Sequence, residues 1–380
     1  MTPPPAADSV PDITIPDALL PADGRFGCGP SKVRPEAVEA LVADAPTYLG
    51  TSHRQPTVKF MVARMRNAVA EMFAAPDGYE VLLGNGGTTV FWDAAAFGLV
   101  AERSQHLVFG EFSSKFAKVT SAAPFLEEPE VIESATGTHP SPVASDDADF
   151  YALTHNETST GVMMPIARPE GASGLVGVDA TSAAGGLRVD LAQTDVYYFA
   201  PQKCLAADGG LWIAVCSPAA IERISQIAES GRWIPASIDL STALDNSRKD
   251  QTYNTPALAT IHLAVSQLEW VNNNGGLEFA ASRCDRSAEI MYGWAEKTSY
   301  ATPFVVDPDQ RSHVVATIDL DDAIDASMVS KVLRANGIVD TEAYRKLGRN
   351  QLRIGMFPAI DPDDVAALTT CIDHVVSALA

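Results

Sequence analysis

Val196-Tyr-Tyr-Phe-Ala-Pro-Gln-Lys203-Cys-Leu-Ala-Ala-Asp-Gly-Gly210-Leu-Trp-Ile213 runs from an apolar, aromatic stretch to a lysine, then through a Gly-rich turn into a second apolar stretch. The pattern predicts strand, loop, strand, with Lys203 just past the end of a buried strand. An amine there costs free energy unless something uses it. Upstream, Val176-Gly-Val-Asp179 closes another short apolar strand with an acid. An amine able to form a Schiff base and a carboxylate able to keep a pyridinium nitrogen protonated are the pair that pyridoxal phosphate chemistry needs. Each residue also has a plainer reading, the lysine as a snorkelling side chain and the aspartate as a turn former or helix cap.

Working outward, short apolar runs at 79–83, 106–109, 150–154, 175–178, 196–199 and 211–215 predict strands. Helical spacing appears at 36–43, and at 57–73 through Val58, Met61, Val62, Met65, Val69 and Met72. Fully apolar strands alternating with helices predict an α/β fold whose mostly parallel sheet is covered on both faces. Asn272-Asn-Asn-Gly-Gly276 reads as a boundary after a helix at 256–272. Beyond it, helices at 277–296, 326–335 and 363–379 with strands at 314–318 and 351–354 predict a smaller α+β C-terminal domain. The expected division is an N-terminal arm at 1–22, loosely ordered, a large domain at 23–272 and a small domain at 273–380.

The 380 residues carry 27 Lys and Arg against 48 Asp and Glu, a net charge of −21. That field argues against nucleic-acid binding and against anionic membrane surfaces. It also makes any local basic cluster informative. The five cysteines are scattered without metal-type spacing, so reduced cytoplasmic thiols and no metal site are expected. No signal-like segment or membrane-length apolar stretch is visible.

Three further constellations carry chemistry. Gly84-Asn-Gly-Gly-Thr-Thr89 stands between a strand and a helix, where glycine-freed amides at a helix N-terminus can cradle phosphate. It matches neither the P-loop nor the GxGxxG pattern, and a plain Thr-capped turn is the alternative. His155-Asn-Glu-Thr158 follows a strand, at the sheet edge where open α/β folds bind ligands; Asn156 and Thr158 could bond a ring hydroxyl or merely satisfy a turn. Thr51-Ser-His-Arg54 and the stretch holding Arg345, Lys346, Arg349 and Arg353 are candidate anion clamps in an acidic chain. A solvated face is the plainer reading for Arg345 and Lys346, whereas Arg353 lies in a strand-like alternation and needs a partner.

Gly27-Cys-Gly-Pro-Ser31, Ser52-His-Arg54, Asn156-Glu-Thr158, Asp179, Ala200-Pro-Gln-Lys203 and Tyr253-Asn-Thr-Pro256 occur together and in this order. Over about residues 25–358 the set resembles the phosphoserine aminotransferase family, class V enzymes of the fold-type I pyridoxal phosphate group. The resemblance implies pyridoxal 5'-phosphate as cofactor, with Lys203 as the Schiff-base and proton-shuttling lysine and Asp179 on the pyridine nitrogen. It places Thr158 on the ring O3′, Gly87, Thr88 and Gln202 on the phosphate, and Phe112 where the family often stacks a tryptophan. Asn254 and Thr255 would reach the phosphate from a neighbouring subunit, implying a homodimer with shared sites. His53, Arg54 and Arg353 would bind the substrate's carboxylate and distal anion. Arg349 would be a further substrate contact, in a segment that departs from the family's His-Arg pair.

The implied reaction converts 3-phosphohydroxypyruvate and L-glutamate into O-phospho-L-serine and 2-oxoglutarate. The related 4-phosphohydroxythreonine pair of vitamin B6 synthesis is a further implied substrate. Alternatives are an alanine–glyoxylate or serine–glyoxylate type aminotransferase, a cysteine desulfurase, or a silent homologue acting as an oligomeric scaffold. A desulfurase needs a mobile nucleophilic Cys, and Cys204 adjoins Lys203 instead. The scaffold reading would predict loss of Lys203 or Asp179, and both are present.

Overall fold

The computed structural model describes residues 10–380. Its centre is a seven-stranded sheet. In chain order the strands are β1 (Glu80–Asn85), β2 (Ser104–Val108), β3 (Glu130–Glu133), β4 (Phe150–Thr154), β7 (Leu175–Asp179), β8 (Val196–Phe199) and β9 (Leu211–Cys216), with the two-residue pair β5 (Asn156–Glu157) and β6 (Val162–Met163) forming a small hairpin between β4 and β7. The spatial order is β1-β9-β8-β7-β4-β2-β3. Only β9 runs against its neighbours β1 and β8, and the other neighbouring pairs are parallel.

Strands β4, β7, β8 and β9 are buried along their whole length. This is the continuous apolar signature of a sheet covered on both faces. One face packs against helices that include Pro56–Met72 and Leu258–Asn273, the other against Thr88–Gly98 and Leu240–Ser247. Helix Pro56–Met72 begins on a proline whose missing N–H is harmless at that position, and it buries Val58, Met61, Val62, Met65, Val69 and Met72 as one stripe. Each such side chain contributes roughly 1.5–3 kcal/mol relative to exposure.

A second, three-stranded antiparallel sheet holds β10 (Ala301–Pro303), β11 (Val315–Leu320) and β12 (Gln351–Gly355). It packs with helices Ala326–Ala335 and Pro362–Leu379, each capped by an aspartate, Asp325 and Asp361. The stretch at 272–276 is a tight helix-to-helix turn in which Gly275 and Gly276 adopt positive φ. Helix Gly276–Lys297 then gives Cys284 to the larger core and Met291 to the smaller.

Two expectations differ from what is observed. Strand β3 was not expected: its Glu-Val-Ile-Glu sequence is that of an edge strand, half exposed, without an apolar run. Of the arm expected to be loosely ordered at 1–22, residues 1–9 lie outside the described residues. Residues 10–22 lie against the smaller core, with Ile15 buried and its N–H donating to Asn336 Oδ1 at 2.9 Å. Among the described residues no helix is long and apolar enough to cross a membrane.

Candidate active site

The parallel strands deliver their carboxyl ends to one edge of the sheet, where open α/β folds place ligands. Asp179 ends β7, Thr154 ends β4, and β8 leads through Ala200-Pro-Gln to Lys203. Strand β1 leads to Gly86 and Gly87, whose positive φ angles turn the chain into the helix starting at Thr88. A cavity of about 250 Å³ opens there, and Thr88, Trp92, Phe112, Thr158, Asp179, Gln202, Lys203 and Arg353 all line it.

Lys203 is 7% exposed, and its Nζ donates to Thr158 Oγ1 at 2.9 Å. Burial holds its amine below the ordinary value, with the Asp179 charge acting in the opposite sense. The Phe112 ring centre lies 5.4 Å from the same nitrogen. Asp179 Oδ1 accepts from the Thr181 N–H at 2.9 Å and its hydroxyl at 2.5 Å, and Oδ2 accepts from the Trp92 indole N–H at 3.0 Å. Burial pushes the carboxyl above its usual range, and these bonds pull it back.

Phe112 owes its place to Glu157, which is wholly buried. One Glu157 oxygen accepts from the Phe112 and Ser113 amides at 3.1 and 2.9 Å, at the start of helix Glu111–Ala122. A carboxylate at a helix N-terminus satisfies amides that have no intrahelical acceptor. Gly29 sets the lysine from the other side. With φ at +126°, a Cβ there would stand 2.6 Å from Lys203 Cε.

Several polar atoms at this cavity are buried without a protein partner: Asn156 Oδ1, Gln202 Oε1 and Arg353 Nε. Such groups are costly unless a ligand meets them. Together with a buried amine, a buried carboxylate and a glycine-entered helix N-terminus, they fit a phosphorylated pyridine aldehyde.

Residues 133–342 match the family model described as aminotransferase class-V. The chain is 61% identical over 366 residues to the phosphoserine aminotransferase of Rhodococcus jostii, covering 96% of this chain and 98% of that protein. The chain belongs to the phosphoserine aminotransferase family of class V aminotransferases. A Nocardioides phosphoserine aminotransferase is likewise 61% identical over 370 residues, covering 97% of this chain and 99% of its own. The solved phosphoserine aminotransferase of Cytophaga hutchinsonii matches with a TM-score of 0.85 at 22% identity, over 92% of this chain and 99% of that one, and that likeness is one of fold. The chain is therefore a pyridoxal-phosphate-dependent aminotransferase with the fold-type I architecture.

Of the residues singled out in the sequence, the cavity of this aminotransferase gathers Thr88, Phe112, Thr158, Asp179, Gln202, Lys203 and Arg353, with Gly87 capping the helix at its edge. Four others gather elsewhere. His53 Nδ1 and the Thr255 hydroxyl are 3.2 Å apart, next to the exposed Arg54 and Asn254. Arg349 pairs with Asp319 at 2.5 Å and lies over the Phe304 ring, so it does not line the cavity. Lys346 pairs with Glu111, while Arg345 is exposed.

Sequence reasoning missed Trp92, Thr181 and Tyr344. Trp92 lies four residues after Thr88, on the same helix face, which is a usable signal. Thr181 is two residues after Asp179, the spacing of a side chain that bonds its own following backbone. Tyr344 lies under the Arg353 guanidinium, 5.2 Å from ring centre to Cζ, on a loop without periodic signal.

Proposed function

We propose that this aminotransferase converts 3-phosphohydroxypyruvate and L-glutamate into O-phospho-L-serine and 2-oxoglutarate. The observation carrying this reading is the joining of Lys203, Thr158 and Asp179 in one cavity with Arg353 at its wall, in a chain so similar to the Rhodococcus jostii protein. Pyridoxal phosphate supplies the electron sink that lets an amino group pass between two acids.

The chain's residues do the rest. Lys203, its amine shifted toward the neutral form by burial, takes the proton from the substrate's Cα and returns it. Asp179 would accept a hydrogen bond from the ring nitrogen and keep it protonated. Thr158 Oγ1 would bond the ring oxygen. The amides at Gly87 and Thr88, with Gln202, would hold the phosphate at a positive helix end. Phe112 would shield the ring from water. The unpartnered Arg353 Nε offers a guanidinium fork to a substrate carboxylate.

The cluster of His53, Arg54, Asn254 and Thr255 supports a homodimer in which these groups complete the partner's cavity. The two cores support a division into a large and a small domain near 272.

Successive additions to the purified, yellow protein test the reaction. Glutamate should bleach the absorbance band and 3-phosphohydroxypyruvate should restore it. Restoration by glyoxylate but not by the phosphorylated oxo acid would move the assignment to the glyoxylate aminotransferases.

A further inference from the structure

A carboxylate has about four lone-pair positions able to accept hydrogen bonds. Three of those on Asp179 are engaged by protein donors: the Thr181 amide and hydroxyl on Oδ1, and the Trp92 indole on Oδ2. One position on Oδ2 remains for a ligand in the cavity that Asp179 lines. The orientation of the carboxylate, and so the direction of that last lone pair, is set from two sides by groups on different elements. Thr181 acts from the turn just after β7, Trp92 from the helix that the Gly-rich turn opens.

Trp92 is held firmly enough to do this. It is 3% exposed, and its ring lies nearly parallel to Phe116, at 15° with centres 6.5 Å apart. Filling the core would explain the indole ring but not the direction of its N–H. Trp212 provides the contrast: it is equally buried, yet its Nε1 has no partner among the described residues. At Trp92 the N–H meets the one carboxylate on which the cofactor chemistry depends.

Resting on that assignment of Asp179, we propose that Trp92 is a positioning residue whose indole N–H aims the Asp179 carboxylate and reserves its last lone pair for the cofactor's ring nitrogen. Trp92 acts through Asp179. Without its donor the carboxylate is held from the Thr181 side alone, through Oδ1, and Oδ2 has no fixed partner to define the plane in which the ring nitrogen is met. Hydrogen bonds to charged groups are the stronger class, so the effect is sizeable.

The test uses the full-length chain with Trp92→Phe, which keeps a flat aromatic ring and removes the donor. Two measurements serve, neither of them turnover: the affinity of the apo-protein for pyridoxal phosphate by fluorescence titration, and the chemical shift of the ring nitrogen in protein loaded with 15N-labelled cofactor. The expected result is affinity weaker by about tenfold, with the 15N signal moved from the protonated toward the neutral ring. An unchanged affinity and shift in Trp92→Phe, beside a wild type that binds normally, overturns this inference and leaves the proposed function standing. A wild type that binds no pyridoxal phosphate overturns both. If Trp92→Phe does not fold, 3-benzothienylalanine at position 92 keeps the indole shape with sulfur in place of N–H. The same two measurements then decide, loss of affinity with a moved signal supporting the inference and wild-type values overturning it.

Discussion

Lys203 and Asp179 line the same cavity, yet the lysine donates to Thr158 Oγ1 at 2.9 Å rather than to the carboxylate, which is bonded by Trp92 and Thr181. Two opposite charges are thus buried near one another, each held by neutral groups. An ion pair between them would have stabilised the empty protein and blocked both from a ligand. The arrangement leaves the amine and the acid free for separate tasks, and the folded chain bears the desolvation of both.

Replacing Lys203 should therefore stabilise the empty protein while abolishing turnover. Burial holds the amine below the ordinary value of 10.5, so below pH 10.5 the unfolded chain binds this proton more tightly than the folded one. The penalty is present at neutral pH and fades as pH rises toward 10.5. Lys203→Met should raise apo-protein stability near pH 7, with the gap to wild type narrowing as pH rises toward 10.5. Thermal unfolding across that range checks it, and a gap independent of pH would contradict the reading.

Asp179→Asn should leave the protein able to take up cofactor through its phosphate-binding groups but slow to use it. Loss of a preorganised charge at the reacting centre lowers kcat by about 10²–10³-fold. Steady-state kinetics on fully loaded protein separates this from a loss of occupancy.

Much of this site could be read from the sequence because fully buried parallel strands announce themselves as apolar runs, and the residues just past them fall at one edge. Asp179 and Lys203 were found that way. Strand β3 escaped because an edge strand is allowed polar alternation, and its Val131 is 45% exposed. Trp92 escaped because a tryptophan on a helix is normally core, and only the tertiary fold shows where its N–H points. His53, Arg54, Asn254 and Thr255 share no local pattern with Lys203. Their common neighbourhood comes from the loop before helix Pro56–Met72 meeting the loop after Arg248.

Arg353 and Arg349 should separate cleanly under conservative replacement. Arg353→Lys loses the planar fork at the cavity wall and should raise KM for glutamate and the oxo acid by about tenfold or more. Arg349→Lys disturbs an exposed pair with Asp319, a kind of contact worth about 0–1 kcal/mol, and should shift KM less. Equal effects on KM would argue that Arg349 leaves Asp319 to meet substrate.

Phe112→Leu should weaken cofactor binding by about three- to tenfold, the scale of one lost aromatic contact, with kcat changed less. Equilibrium titration of the apo-protein measures it. An unchanged affinity would mean that the ring lies beside the cofactor without covering it.

Gly29 has a consequence for biogenesis. It belongs to the segment entering the fold near the N-terminus, while the lysine side chain it confines arrives much later in the chain, after β8. The amine cannot take its working position until those two distant stretches have met. Uptake of cofactor colour during refolding is thus a built-in reporter of long-range assembly. Gly29→Ala, which would place a methyl group against Lys203 Cε at a backbone angle unsuited to it, should delay or abolish the colour even where the sheet itself has formed.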